Sequence, residues 1–184
     1  MERHRFLLLA ARTCEGYGFF HTENADREAK ILPWLREFDA PVIDPETGKR
    51  RIPWDFLPDV LDANRDLYDN HLWTKNPIMQ TGNMDENYRF VTDGLDTLLA
   101  HYGYVRDGYR YHASDETNRE AVIVCFCHLG VTCVALSHLL NMTPTSSGRV
   151  CFWRRLLSQS SEVRNANRAK CTSAARLLAT YTIC

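Results

Sequence analysis

An imidazole interrupts the apolar run AVIVCFCHLGVTCVALSHLL, which spans residues 121–140. The run is strand-like before His128 and helix-like after Gly130. Ligands of open α/β sheets bind beyond the carboxyl ends of strands, where a protonated imidazole adds a donor and a positive charge for a phosphoryl group. The first turn of the next helix offers unpaired backbone N–H groups, and a glycine lets the backbone approach closely. The pattern predicts a phosphate site at His128, Leu129 and Gly130.

Other interpretations of this run stay open. His128 could be a core histidine that ends a strand, with no ligand at all. A metal site is a second alternative, because five possible ligands crowd into fourteen residues: Cys125, Cys127, His128, Cys133 and His138. However, two thiols of a C-x-C pair in a strand share one face and His128 points to the other, so they do not form a tetrahedral set. We therefore expect no metal and no cofactor. A Cys-His nucleophile is disfavoured because no segment presents a cysteine at a helix N-terminus.

The elements around this run predict an α/β domain. Apolar residues three or four apart favour a helix over residues 84–102. Asp107-Gly108 between alternating aromatic and polar residues favours a two-residue hairpin over residues 104–112. Residues 121–127 are apolar on both faces, which is typical of a central strand, and helical spacing resumes over residues 131–140.

Composition and charge restrict the class of protein. The chain has 184 residues, 45% apolar and 24% charged, which is typical of one globular domain. No apolar stretch is long enough to span a bilayer, so we expect a cytoplasmic protein without membrane contact. Of the 22 basic and 23 acidic side chains, seven basic and one acidic lie in residues 145–184. That tail therefore carries a net charge of +6 and the preceding part −7, which either favours a nucleic-acid arm or indicates different origins for the two parts.

A family resemblance rests on four stretches: LPWLREFDAP, KRRIPWDFLP, VTDGLDTLLAHYGYVRDGYRYH and IVCFCHLGVTCVALSHLLNMTP. Together these stretches, within residues 30–144, resemble the histidine phosphatase superfamily, the phosphoglycerate mutase-like proteins. The resemblance implies a three-layer α/β sandwich, of which this chain would hold a fragment. It also implies metal-free phosphoryl transfer or hydrolysis of a small phosphomonoester through a phosphohistidine.

The resemblance also implies roles for individual residues. His128 corresponds to the second pocket histidine, a catalytic residue that contacts the phosphoryl group beside the nucleophile. Glu37 of WLREFDA matches an acidic position at the side of the pocket. The family's Gly-Glu-Ser-like segment corresponds to TGNMDENYR, where Asn83 and Glu86 are the candidate substrate-binding residues.

The chain departs from the family pattern at both ends. It has no Arg-His-Gly, the motif whose histidine accepts the phosphoryl group, and Arg3-His4 precedes the apolar FLLLAA run instead of following it. The family's Ser-Pro-Leu-x-Arg segment is replaced by FLLLAAR. We interpret residues 1–29 and the basic, serine-rich residues 145–184 as atypical segments. One hypothesis is that both are read out of frame in a truncated or shifted gene, and another is that the tail is disordered. The nucleotide sequence tests the first hypothesis.

Three functions follow from this interpretation. The first is a histidine phosphatase-like enzyme that is nearly inactive because its nucleophile is missing. The second is a non-catalytic module that binds phosphate, a phosphorylated metabolite or an acidic partner. The third is nucleic-acid binding by the tail segments CFWRRLL and VRNANRAK, which we do not expect because their basic density is modest.

Overall fold

The computed structural model describes residues 6–10, 30–114, 122–151, 159–163 and 175–181. The α-helices in this part of the chain are α1 (Pro58–Ala63), α2 (Pro77–Gln80), α3 (Met84–His101), α4 (Leu129–Leu140) and α5 (Pro144–Cys151). Short 3-10 helices cover Pro33–Leu35, Arg65–Tyr68 and Trp73–Lys75. The strands are β1 (Phe6–Ala10), β2 (Lys30–Ile31), β3 (Val42–Ile43), β4 (Arg50–Arg51), β5 (Tyr104–Asp107), β6 (Arg110–Ala113), β7 (Val122–Cys127), β8 (Gln159–Val163) and β9 (Ala175–Tyr181). The protein is therefore of mixed α/β class.

The chain divides into two units. The first unit takes residues up to Glu37, Gly94–His128 and the residues from Leu156 onward. The second unit takes Phe38–Asp93 and Leu129–Arg155. Helix α3 contributes its residues up to Asp93 to the second unit and those from Gly94 to the first.

A five-stranded sheet forms the centre of the first unit. Its strand order is β2-β1-β7-β9-β8. The pairs β1–β2, β1–β7 and β7–β9 are parallel, and β8 pairs with β9 in antiparallel orientation. Strand β7 is central, as its apolar sequence predicts, and its residues Ile123, Cys125 and Cys127 are buried.

Tyr111 of the β5–β6 hairpin contacts helix α3 within the first unit. The Tyr111 hydroxyl donates a hydrogen bond to Asp96 Oδ1, and Arg106 Nη1 donates to the same hydroxyl at 3.0 Å. The Arg106 guanidinium also lies 5.0 Å from the centre of the Tyr111 ring. Burial, followed by the hydrogen bond to Asp96, raises the pKa of Tyr111. The phenol therefore stays protonated and acts as the donor that holds the hairpin on the helix.

On the opposite face of this hairpin, His112 and Asp107 form a contact that we expect to be sensitive to acid. His112 Nε2 lies 2.8 Å from Asp107 Oδ2. The hydrogen bond and charge of His112, with a smaller contribution from Arg110, hold the pKa of Asp107 below its usual value of 3.8. A carboxyl group whose pKa is lower in the folded protein than in the unfolded chain stabilises the fold at pH values above its pKa in the unfolded chain. This stabilisation is lost as the pH falls through its pKa in the folded protein.

We therefore expect the hairpin amides to lose hydrogen-exchange protection below about pH 3.8. Asp107→Asn should remove this acid transition from the hairpin. Because both side chains are more than half exposed, the effect should also shrink at high salt. An acid transition unchanged in Asp107→Asn would contradict the assignment.

The second unit is built around its own apolar core. Its largest buried side chain is Trp73, which is 2% exposed and meets the Tyr88 ring edge-on at a centroid distance of 5.0 Å. The other buried members of this core are Ala40, Val42, Phe56, Val60, Leu61, Leu67, Ile78, Met79 and Met84. Short helices supply most of these side chains, so tertiary burial stabilises helices that would be marginal alone.

The structure confirms the four elements that the sequence predicted around the candidate site. Helix α3 ends one residue earlier than predicted, and Gly103 follows it with a φ of 85°. Helix α4 begins at Leu129, two residues earlier than predicted. The sequence pattern left Leu129-Gly130 outside the helix, as a tight turn after the strand. This interpretation is wrong, because both residues are already helical and His128 alone joins strand to helix.

The two atypical end segments are described only in part. Strand β1 falls within residues 1–29, and the strands β8 and β9 fall within residues 145–184. Arg3-His4 lies outside the described residues. The out-of-frame hypothesis stays a prediction for the nucleotide sequence to test.

Candidate functional site

His128 follows the last residue of the central strand β7. The neighbouring strand β1 runs parallel to it, with Ala10 opposite Phe126, so both strands end at the same edge of the sheet. The chain passes from β1 to β2 on one side, and from β7 to β8 at the far edge and then back to β9 on the other. The strand order therefore reverses between β1 and β7, and such a switch point is where ligands of open α/β sheets bind.

The His128 side chain is partly accessible at this edge. Its relative exposure is 14%, so the ring is neither sealed in the core nor fully solvated. A polar side chain in this position can reach a ligand while the surrounding protein strengthens its electrostatic interactions.

Glu37 approaches His128 from the segment that contains the 3-10 helix Pro33–Leu35. Trp34 and Leu35 are buried, at 8% and 2% exposure, which anchors the 3-10 helix in the first unit next to strand β7. Proline at the first position suits this short helix because its φ is fixed near the helical value. Glu37 comes two residues after the helix, so the buried side chains of Trp34 and Leu35 restrict the position of its backbone.

The Glu37 carboxylate and the His128 ring form an ion-pair geometry. Glu37 Oε2 lies 3.6 Å from His128 Nδ1, which is longer than a hydrogen bond but within ion-pair distance. The Glu37 side chain is 51% exposed. Water therefore screens the pair, and its energy is modest in the absence of a ligand.

Helix α3 supports this arrangement through a glycine. A Cβ atom built on Gly94 would lie 2.4 Å from Cγ and Cδ1 of Trp34. The indole therefore packs directly on the helix backbone, a distance that only glycine permits. This contact holds the segment that carries Glu37.

We expect Gly94→Ala to destabilise the protein by about 1 kcal/mol, because overpacking costs about 1–3 kcal/mol and the better helix propensity of alanine regains less. Chemical denaturation of both proteins measures the difference. Trp34→Leu should reduce the penalty in the double variant, since the smaller side chain leaves room for the methyl group. A stabilising Gly94→Ala would show that the indole moves away at little cost.

The structure brings two of the six predicted site residues together, namely Glu37 and His128. The other four belong to the second unit. Asn83 and Glu86 are exposed at the start of helix α3, where Asn83 has a φ of 49°. Leu129 and Gly130 open helix α4. A binding role for these four residues stays a prediction.

Arg36 is a candidate that the sequence interpretation missed. It is exposed and precedes Glu37 directly in the chain. Its guanidinium is the kind of group that binds phosphate with two parallel hydrogen bonds. The signal was present in the WLREFDA stretch, where a basic residue accompanies the acidic one.

The described residues contain no group of three or more His, Cys, Asp or Glu side chains arranged to hold a metal ion. Cys125, Cys127 and Cys133 are buried and are not in disulfide bonds. Burial, with a smaller effect of Cys127, raises the pKa of Cys125. That thiol therefore lacks the thiolate character of a nucleophile or metal ligand.

None of the helices in the described ranges is both long and apolar enough to cross a membrane.

Comparison of the chain with protein-family models, with curated proteins and with solved structures finds no match. The resemblance to histidine phosphatases therefore stays a prediction from the sequence.

Proposed function

We propose that this chain is a histidine phosphatase-like protein that binds the phosphoryl group of a small phosphomonoester, or inorganic phosphate, at His128 without turning it over. The phosphoglycerate mutase-like three-layer sandwich belongs to this proposal. The observation that carries it is the position of His128 at the switch point of the parallel sheet, partly exposed at the carboxyl end of β7.

The chemistry of the site supports an anionic ligand. A protonated imidazole donates charge-assisted hydrogen bonds, which are about twice as strong as neutral ones. Arg36, exposed and next to Glu37 in the chain, supplies a second positive charge on the same segment. Both features favour a phosphate over a neutral metabolite.

The sequence supports binding without turnover. A phosphohistidine mechanism needs a covalent acceptor, and the chain contains no Arg-His-Gly. Loss of the nucleophile from a covalent mechanism leaves only the residual effects of binding, orders of magnitude below an intact enzyme. His128 would then hold the anion in place without accepting it.

The test measures binding and turnover on the same purified chain. Titration with inorganic phosphate and with orthovanadate, followed by calorimetry, should show saturable binding. Hydrolysis of p-nitrophenyl phosphate should stay near background. Robust turnover that His128→Ala abolishes would show that the chain does hold a working nucleophile, and no binding of either anion would refute the proposal.

A further inference from the structure

The Glu37 carboxylate lies where it can act either on the His128 ring or directly on a ligand. It faces Nδ1 of the ring, at 3.6 Å. The two nitrogens of an imidazole lie on different edges of the ring, so a ligand that binds Nε2 does not compete with Glu37. A ligand that binds Nδ1 would have to displace it.

We infer that Glu37 is a positioning residue that acts through His128 and does not contact the phosphoryl group itself. Glu37 engages Nδ1–H and holds the ring in one orientation, so that Nε2–H is directed to the phosphoryl oxygen. This inference rests on the proposed function and deepens it, because it names the ring nitrogen that meets the ligand.

The charge of Glu37 supports this assignment. A carboxylate beside a phosphate dianion repels it, because both groups carry negative charge. The same carboxylate on the far nitrogen of the imidazole attracts a proton and strengthens the donor. A histidine whose second nitrogen is held by a carboxylate is a recurrent arrangement, in which the carboxylate fixes the tautomer.

The present distance fits a site that tightens when a ligand binds. Hydrogen bonds of functional groups are often long in the free protein and shorten in the complex. Trp34, packed on Gly94, anchors the start of the Glu37 segment.

The first experiment determines the protonation of the His128 ring in the full-length chain without any ligand. Long-range proton–nitrogen spectra of the labelled protein at pH 9 report the neutral tautomer, and the signals missing in His128→Gln assign the ring. We expect the Nδ1–H tautomer in the unmodified chain and in Glu37→Gln, which keeps an acceptor. Glu37→Ala should shift the ring toward the Nε2–H tautomer. A tautomer unchanged in Glu37→Ala would overturn the inference.

The second experiment measures the affinity for inorganic phosphate at pH 6. Outer partners of a ligand-binding histidine typically change affinity by about tenfold or more, so Glu37→Ala should weaken binding by about tenfold. Glu37→Gln should also weaken it because the charge is lost. Asp39→Ala, which removes an exposed carboxylate two residues further along, should leave the affinity unchanged. Tighter binding in Glu37→Ala would show direct repulsion of the ligand and would refute the inference.

The two experiments separate the inference from the proposed function. If the unmodified chain binds no phosphate, the proposed function fails, whereas the tautomer still reports whether Glu37 positions His128. If phosphate binds and the His128 tautomer is unchanged in Glu37→Ala, the proposed function stands and the positioning role fails.

Discussion

Replacing His128 with glutamine is expected to weaken the binding of inorganic phosphate and orthovanadate at least tenfold. A hydrogen bond to a charged group contributes about 1.5–3 kcal/mol, and each 1.4 kcal/mol is a factor of about ten in affinity. Glutamine keeps a polar group of similar reach but cannot carry the positive charge. Calorimetric titration of the two purified proteins at pH 6 measures the ratio.

The matched control for this experiment is His71→Gln. His71 is exposed and belongs to the second unit, and its substitution likewise replaces one imidazole with a neutral amide. We expect the control to bind both anions like the unmodified chain. Equal loss in the two variants would indicate a general charge effect, and equal binding in all three proteins would place the anion elsewhere.

Replacing Trp73 with alanine is expected to have the largest effect on stability. The side chain is 2% exposed and is the largest of the fully buried ones in the described residues. Its truncation removes the edge-on contact with Tyr88 and leaves a cavity in the core of the second unit. Such substitutions cost about 3–5 kcal/mol, a large share of the roughly 5–15 kcal/mol by which proteins are stable.

Urea denaturation measures this loss, with Tyr68→Ala as the control. Tyr68 is an aromatic residue of the same unit with 42% exposure. Its truncation should change the free energy of unfolding by about 0.5 kcal/mol or less. A similar loss in both variants would contradict the placement of Trp73 in the core.

The elements that the sequence predicted correctly are those with a strong local period. Helix α3 repeats apolar residues three or four positions apart, and the buried side chains of Met84, Val91, Leu95 and Leu99 follow that spacing. Strand β7 was predicted from residues that are apolar on both faces. In helix α3, the pattern follows directly from which side chains the fold buries.

The Asp107-Gly108 pattern predicted the β5–β6 hairpin correctly but not the register of its two strands. The sequence predicted Asp107-Gly108 as the two loop residues, whereas Asp107 pairs with Arg110 and the loop is Gly108-Tyr109. Gly108 has a φ of 59°, and glycine at the first loop position suits a type II′ turn. The difference matters because it places Tyr111 opposite Arg106.

Other features depend on contacts that are distant in sequence. The short helices and strands between Phe38 and Met84 follow no period of their own, because burial in the second unit selects them. The approach of Glu37 to His128 joins residues 91 positions apart, and only the family resemblance indicated it. Gly94 appears in the sequence as a weak point of a helix, and only the structure shows the indole packed on it.

The alkylation rates of the buried thiols can report how often each unit opens. Cys125 and Cys127 lie in the first unit and Cys133 in the second. A thiol shielded from solvent is alkylated only after its surroundings open, so the labelling rate of each cysteine follows the local opening equilibrium. With the remaining four cysteines changed to serine, mass spectrometry of the alkylated peptides would time the two units separately in a single sample.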